Sequence, residues 1–310
     1  MRKLIQFLVA TLMLLLFTTE SVFSQQDPQF TNYMYNTTVI NPAYAGTRDA
    51  LSVLALYRSQ WVGLDGAPVT AAASIHSPMK NSNLGWGLSI INDEIGPSIE
   101  HTISADFSYR ITFENLSRLS FGFKATANLL NVDYTKLSIY DPTDPDLQNN
   151  VDNRFSPNFG AGFYWYSDQY YLGLSVPNFL ETKHYDDNTR SSSAKESMHY
   201  YFMGGYVFDF SDTVKFKPAF LSKFVSGAPL QVDLTANFLF FDKLTAGAAY
   251  RINGAVSALV GFQVSDAIFV GYSYDAEASK LANYNSGSHE FFLRFEVFKA
   301  EAKVFSPRFF

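Results

Sequence analysis

The feature that most constrains the fold is a regular alternation of apolar and polar residues, which recurs along most of the chain. In residues 99–113, for example, nearly every second residue is apolar or aromatic, and the residues between them are polar or charged. Successive side chains of a β-strand point to opposite faces, so a period of two predicts strands. No segment has a convincing period of 3.6 residues, and helix is therefore expected to be a minor element at most.

The alternation is carried by about fourteen segments. They lie roughly at 50–60, 68–78, 84–94, 99–113, 117–130, 154–167, 169–177, 197–210, 213–225, 229–240, 243–252, 255–264, 267–275 and 288–298. Many reach ten residues or more, which exceeds the mean of about 5–6 for soluble strands and matches the roughly 9–11 that cross a bilayer at a tilt. An even number of strands also suits a bacterial outer-membrane barrel.

The connections separate a membrane barrel from a soluble sandwich or propeller, which alternation alone does not do. Every second connection is short and polar, as at 80–83 and 114–116, whereas three of the others are long, at about 131–153, 178–196 and 276–287. Short turns at one end and long loops at the other are typical of outer-membrane barrels. The sequence thus predicts an all-β protein, a transmembrane antiparallel β-barrel of about fourteen strands, with the short turns and the mature N-terminus in the periplasm.

The N-terminus has the pattern of an export signal. Arg2 and Lys3 precede an apolar stretch from Leu4 to Phe17, and cleavage is expected after Ser24, although a single anchoring helix is an alternative. We therefore expect a signal peptide at 1–24, a polar N-terminal segment at 25–49, the barrel at 50–298 and a periplasmic tail at 299–310. The segment 25–49 is interpreted as a periplasmic strip, a plug of the lumen or a plain linker.

Charged residues fall on the strand faces opposite the apolar ones, which predicts a polar lumen whose neighbouring strands are joined by ion pairs. The expected inward-facing residues are Arg58, Glu100, Asp106, Arg110, Lys124, Lys215, Lys217, Asp233, Arg251, Arg294 and Glu296. The net charge of −6 argues against nucleic acid as a partner.

Motifs that carry chemistry are missing from the sequence. It contains no nucleophile elbow, no His-Glu-x-x-His motif, no phosphate-binding loop and no cysteine, and its five histidines are scattered. The acidic loop 141–146 has carboxylates that could hold Ca²⁺, but it lacks the EF-hand pattern. His184, with Asp186 and Asp187, is only a weak indication of a catalytic site on a loop at the rim of the barrel. We expect no enzyme, no cofactor and no metal site.

The most specific pattern lies in the N-terminal third. It consists of Gln26-Asp27-Pro28-Gln29-Phe30-Thr31-Asn32-Tyr33-Met34, Ile40-Asn41-Pro42-Ala43-Tyr44-Ala45-Gly46, a stretch from Tyr57 to Thr70 and His76-Ser77-Pro78, together with the terminal Phe305-Ser306-Pro307-Arg308-Phe309-Phe310. In combination these motifs closely resemble the PorP/SprF family of outer-membrane proteins linked to the type IX secretion system of Bacteroidetes. The resemblance covers the mature chain. Asn36-Thr37-Thr38 departs from the family pattern, in which a proline is expected after the asparagine.

The resemblance implies a non-enzymatic barrel that supports secretion or surface attachment of an adhesin-like cargo with a type B C-terminal sorting domain, and gliding. Implied partners are outer-membrane lipids, that cargo, and the secretion and motor components. The candidate family-motif or partner-binding residues are Asn41, Pro42, Gly46, Arg58, Trp61, Gly66, Pro68, His76, Arg308 and Phe310. The alternative is a porin or a transporter of small hydrophobic ligands, since about fourteen strands can enclose a lumen.

The sequence predicts two further local features, a constrained loop and the strand that closes the barrel. Gly63 and Gly66 allow positive φ and Pro68 fixes the chain's return into the second strand, so the loop that begins at Trp61 is expected to be a constrained part of the rim. The regular alternation of 288–298 is expected to form the last strand, which closes the barrel by pairing with the first.

Overall fold

The computed structural model of the protein describes residues 28–137, 150–181 and 197–297. Within these residues fifteen strand segments form one sheet. They are β1 Leu51–Ser59, β2 Val69–Pro78, β3 Leu84–Ile95, β4 Ser98–Thr112, β5 Arg118–Val132, β6 Val151–Tyr166, β7 Tyr170–Val176, β8 His199–Tyr206, β9 Phe208–Ser211, β10 Val214–Val225, β11 Gln231–Phe240, β12 Leu244–Arg251, β13 Ala255–Ser265, β14 Ile268–Glu277 and β15 Ser288–Val297.

The sheet is a closed antiparallel barrel in which neighbours in sequence are neighbours in space. Segments β8 and β9 flank Val207 and both pair with β10, so together they form one interrupted strand, and the described wall has fourteen strands. The barrel is closed by β1 and β15, which pair from Leu51 opposite Val297 to Ser59 opposite His289. The predicted all-β barrel, its strand number and its closure are confirmed.

Helical structure is limited to short turns in the described residues. A single α-helical turn spans Thr37–Ile40, and 3₁₀ turns span Pro42–Tyr44, Tyr134–Lys136 and Lys280–Asn283. Among the described residues there is no helix of the length and apolarity needed to cross a membrane.

The two faces of the wall have the predicted polarity. In β5, the side chains of Phe121 and Phe123 are exposed, whereas Lys124 and Thr126 are buried on the opposite face. Large exposed apolar residues recur in the same way on the other strands, as they do at Phe107, Phe163 and Leu293. Closed pairing satisfies the backbone hydrogen bonds internally, and the outward apolar face is the surface that such a barrel presents to lipid.

Replacing Phe123 with Arg is therefore expected to destabilise the folded barrel by about 2–4 kcal/mol, because the guanidinium would lie in hydrocarbon near mid-strand. The matched substitution Thr126→Arg places the same group in the polar lumen of the same strand, and its cost is expected to be much smaller. Heat-modifiable gel mobility and urea unfolding in detergent measure both. Equal damage from the two substitutions would contradict the assigned faces.

Ion pairs join neighbouring strands on their inward faces, as predicted. Asp106 of β4 lies 3.0 Å from Lys124 of β5, and Asp233 of β11 lies 2.8 Å from Arg251 of β12. All but one of these four residues are buried, and Arg251 is nearly so. Pairing offsets the cost of burying a charged group, so charged side chains can face the interior of the barrel while the outer face is apolar.

The two ends of the barrel differ in their connections. Short turns join the strands at the end where β1 begins and β15 ends, and the longer connections lie at the opposite end. In outer-membrane barrels the short turns are periplasmic and the longer loops extracellular. The predicted signal peptide, the acidic loop 141–146, His184, Asp186, Asp187 and the tail 299–310 lie outside the described residues.

Candidate functional site

The interior of the barrel is filled by the described part of the N-terminal segment, residues 28–49, which we call the plug. Most of its residues are buried, including Tyr33, Met34 and Tyr44. They pack with inward-facing wall residues into one apolar core, whose wall members include Tyr164, Tyr166, Tyr171 and Met203. The candidate site is therefore the contact between the plug and the wall.

The path of the plug corrects one sequence prediction. Pro28 and Gln29 line a cavity together with Ser98 of β4 and Gln231 of β11, which are residues at the long-loop end of their strands. Asp49, at the other end of the plug, contacts side chains near the short turns. The chain thus descends through the lumen to the start of β1, and the first described residues lie at the extracellular end, not in the periplasm. The even number of strands determines only on which side of the membrane β1 begins. It does not determine where the residues before β1 lie.

A buried ion cluster attaches the plug near the extracellular end. Arg58 lies 2.8 Å from Asp275 and 3.1 Å from Glu290, and its guanidinium also donates to the Thr31 hydroxyl at 3.0 Å. Glu290 accepts hydrogen bonds from the backbone N–H groups of Thr31 and Asn32 at 3.0 and 2.7 Å. These groups come from β1, β14, β15 and the plug, so the cluster ties the plug to the strands at the closing seam.

Three glycines of the wall allow the plug to approach closely. A Cβ atom on Gly85 would overlap the carbonyl of Ala45, one on Gly122 would overlap the backbone of Pro42 and Ala43, and one on Gly162 would overlap the Asn41 side chain. They belong to β3, β5 and β6 and lie beneath consecutive parts of the plug. A glycine inside a strand often marks such a close approach.

The Asn-Pro-Ala-Tyr-Ala-Gly motif forms the tight turn that lies on these glycines. The Asn41 side chain accepts a hydrogen bond from the Ala43 N–H at 3.0 Å and donates to the Phe163 carbonyl at 2.9 Å. Pro42 occupies the first position of the 3₁₀ turn, where its missing N–H is not needed. Asn41 thus caps the turn and joins it to β6.

Gly46 and His76 form the next contact. Gly46 has φ of +74° and donates its N–H to His76 Nδ1 at 3.1 Å. The His76 ring also packs edge-on against Tyr44, with 5.5 Å between ring centroids. A side chain at position 46 would meet both a strained backbone and the Cα atoms of Gly85 and Pro78, so this position requires glycine.

Charged pairs attach the plug near the periplasmic end. Arg48 forms an ion pair with Glu296 of β15, and Asp49 accepts hydrogen bonds from Arg110 and Arg118, each at 2.7 Å. Burial by itself would raise the pKa of the Asp49 carboxyl. The hydrogen bonds and positive charges of the two arginines outweigh that effect and lower the pKa.

Trp61, Gly66 and Pro68 lie apart from the plug contacts, at the extracellular rim. The Trp61 indole N–H donates to Glu277 at 3.1 Å, and its backbone N–H donates to the Ser288 hydroxyl at 3.1 Å. The Pro68 carbonyl accepts from the Gln60 N–H at 2.9 Å. Gly63 and Gly66 have φ of +96° and +71°, and Trp61 itself has φ of +48°. The loop has the expected constrained geometry.

The structure thus brings together five of the ten candidates, Asn41, Pro42, Gly46, Arg58 and His76, along the plug, while Arg308 and Phe310 lie outside the described residues. Sequence reasoning missed the partners Asp275 and Glu290 and the glycines beneath the plug. Glycines at inward positions of long strands were the available signal. Within 28–137, 150–181 and 197–297, no group of three or more His, Asp or Glu side chains could hold a metal ion.

An outer cavity of about 260 Å³ remains beyond the plug, at the long-loop end. One part of its wall is formed by Gln29, Phe30 and Ile40 of the plug. Inward-facing residues of the strands form the rest, among them Ile91, Asn128 and Leu221.

Comparison with solved structures finds proteins described as a channel and as an outer membrane protein. The CymD monoaromatic hydrocarbon channel matches with a TM-score of 0.51 and 12% identity over 85% of this chain and 93% of that chain. Omp33 of Acinetobacter baumannii matches with a TM-score of 0.47 and 10% identity over 80% and 99%. At these identities the likeness to CymD supports the fold alone.

Comparison with curated proteins finds no match. The family model described as type IX secretion system membrane protein PorP/SprF matches residues 22–295. That range includes the plug and most of the fourteen-stranded wall, and the fold is that of an outer-membrane protein. The chain therefore belongs to the PorP/SprF family of type IX secretion system membrane proteins.

Proposed function

We propose that the barrel is a non-enzymatic docking protein of the outer membrane, which supports secretion or surface attachment of an adhesin-like cargo with a type B C-terminal sorting domain. The observation that carries the proposal is the filled lumen. The plug is mostly buried and is attached near both ends, by the N–H groups of Thr31 and Asn32 with Glu290 and by Arg48 with Glu296. A barrel closed by its own chain is better suited to binding at its ends than to passing solutes.

Membership of the family and the different connections at the two ends of the barrel support proposals for the partners. The cargo engages the extracellular end, where the outer cavity and the rim loop of Trp61 lie. Secretion and motor components engage the periplasmic end, and through them the barrel contributes to gliding. Outer-membrane lipids surround the exposed aromatic face.

The test compares surface proteins of the native host with and without this gene. Surface biotinylation of the deletion strain is expected to show loss of a protein with a type B C-terminal domain, restored by the wild-type gene. The purified barrel is expected to remain silent in a planar bilayer. An unchanged set of surface proteins would refute docking, and steady open-channel currents would then favour the porin or small hydrophobic-ligand transporter.

A further inference from the structure

We propose that the outer cavity binds a short, uncharged, extended peptide segment. The cavity has about 260 Å³ and lies at the extracellular end, between the plug and the strands. Ligand sites in proteins are typically concave, largely apolar, and equipped with a few polar groups that fix the orientation of the ligand. Three features of this cavity identify the ligand class: carboxamides with unpartnered atoms, charged residues that already interact within the chain, and an apolar part of the wall.

Two carboxamide side chains at the cavity each have a buried atom without a hydrogen-bond partner. Asn128 of β5 is only 5% exposed, and its Oδ1 atom is unpartnered. Gln29 of the plug also lines the cavity, and its buried Nε2 atom is unpartnered. A buried polar group without a partner is unfavourable, so a ligand that supplies the missing hydrogen bond is favoured. A carboxamide both donates and accepts hydrogen bonds, and a peptide group offers the complementary N–H and C=O side by side.

The charged groups around the cavity already have partners within the chain. Lys124 pairs with Asp106, and Asp233 pairs with Arg251. The remaining charged lining residues, Asp93, Glu100 and Lys223, also interact within the chain. A charged ligand would have to lose its hydration without gaining a free counter-charge, and such burial is costly. The cavity is therefore matched to an uncharged ligand.

One part of the cavity wall is apolar, and this part favours a peptide over a sugar. Ile91, Leu130 and Leu221 are buried at the cavity and offer no hydrogen bonds. Sugar hydroxyls placed against them would lose water without compensation. An extended peptide meets both requirements, because its backbone can form hydrogen bonds with the carboxamides while an apolar side chain packs against the apolar residues. That the peptide belongs to the secreted cargo rests on the proposed function.

The test is site-specific photo-cross-linking in living cells of the native host. A benzophenone amino acid replaces Ser98, at the mouth of the cavity on β4, or Ile103, on the lipid face of the same strand, as the matched control. We expect Ser98 but not Ile103 to give an adduct that mass spectrometry maps to a segment of a type B domain. Asn128→Leu removes the carboxamide at similar size and is expected to lower the yield roughly two- to tenfold.

The outcomes separate this inference from the proposed function. An adduct with a peptide of some other secreted protein supports the cavity as a peptide site and counts against the proposed cargo. An adduct with a glycan or within the chain, or no adduct while the cargo is displayed normally, overturns the peptide site and leaves docking elsewhere on the barrel. A yield that Asn128→Leu does not change, in a barrel with normal heat-modifiable mobility, also overturns it.

Discussion

Substituting Arg58 with Met is expected to lower the free energy of unfolding by about 3–5 kcal/mol, because it leaves the carboxylates of Asp275 and Glu290 buried without their positive partner. Both carboxylates are at most 4% exposed. The effect should include the plug, since Glu290 also accepts the Thr31 and Asn32 N–H groups. Urea unfolding of the purified barrel in detergent measures the change.

The matched control is Arg118→Met, which removes the same group from an ion pair nearer to water. The Arg118 side chain is 32% exposed, and its partner Asp49 keeps a second arginine, Arg110. Its cost is expected to be about 1 kcal/mol or less, as for other accessible pairs. If Arg58→Met cost no more than Arg118→Met, the buried cluster would not anchor the plug.

The wall was predictable from the sequence because its signal is local. Each lipid-facing strand needs an apolar residue at every second position, and a slip of one residue would reverse both faces. The pattern therefore determined the strands, the faces of Phe123 and Thr126, and the pairing of the first strand with the last. Ion pairs such as Asp106 with Lys124 also followed, since both residues lie on inward faces of adjacent strands.

The plug was not predictable in the same way because its contacts are distant in sequence. Thr31 and Asn32 contact Glu290 from more than 250 positions away, and Asn41 contacts Phe163 from 122 positions away. The segment consists of short turns, so it has no period to reveal which side is buried. Its proline and glycine motif marks turns but not their location. Gly122 lies at an inward position in the middle of a long strand, and from the sequence such a glycine can indicate that another part of the chain packs against the strand.

The anchoring of the plug coincides with the closing seam of the barrel. Arg58 of β1 and Glu290 and Glu296 of β15 all contact the plug, and β1 and β15 are the strands whose pairing closes the wall. The plug also precedes β1 directly in the chain. The same side chains therefore hold the seam together and keep the lumen filled, which links stability of the wall to closure of the channel.

Substituting Gly122 with Val is accordingly expected to convert a silent barrel into a conducting one. The added side chain would overlap the backbone of Pro42 and Ala43, which cannot move aside while Asn41 is held by β6. Expelling this turn removes part of the core that fills the lumen, whereas the β-branched residue itself suits a strand. Planar-bilayer recordings measure the current, and protease cleavage within 28–49 reports release of the plug.

The graded variant Gly122→Ala adds only the Cβ atom that already overlaps the plug, so it is expected to give a weaker form of the same effect. Ala127→Val adds similar bulk to the lipid face of the same strand and should leave the barrel closed. Heat-modifiable mobility must show that each variant folds, because an unfolded barrel also loses its plug. A folded Gly122→Val barrel that keeps residues 28–49 protected would contradict the predicted release of the plug, and one that stays silent although 28–49 is cleaved would show that something other than the plug closes the lumen.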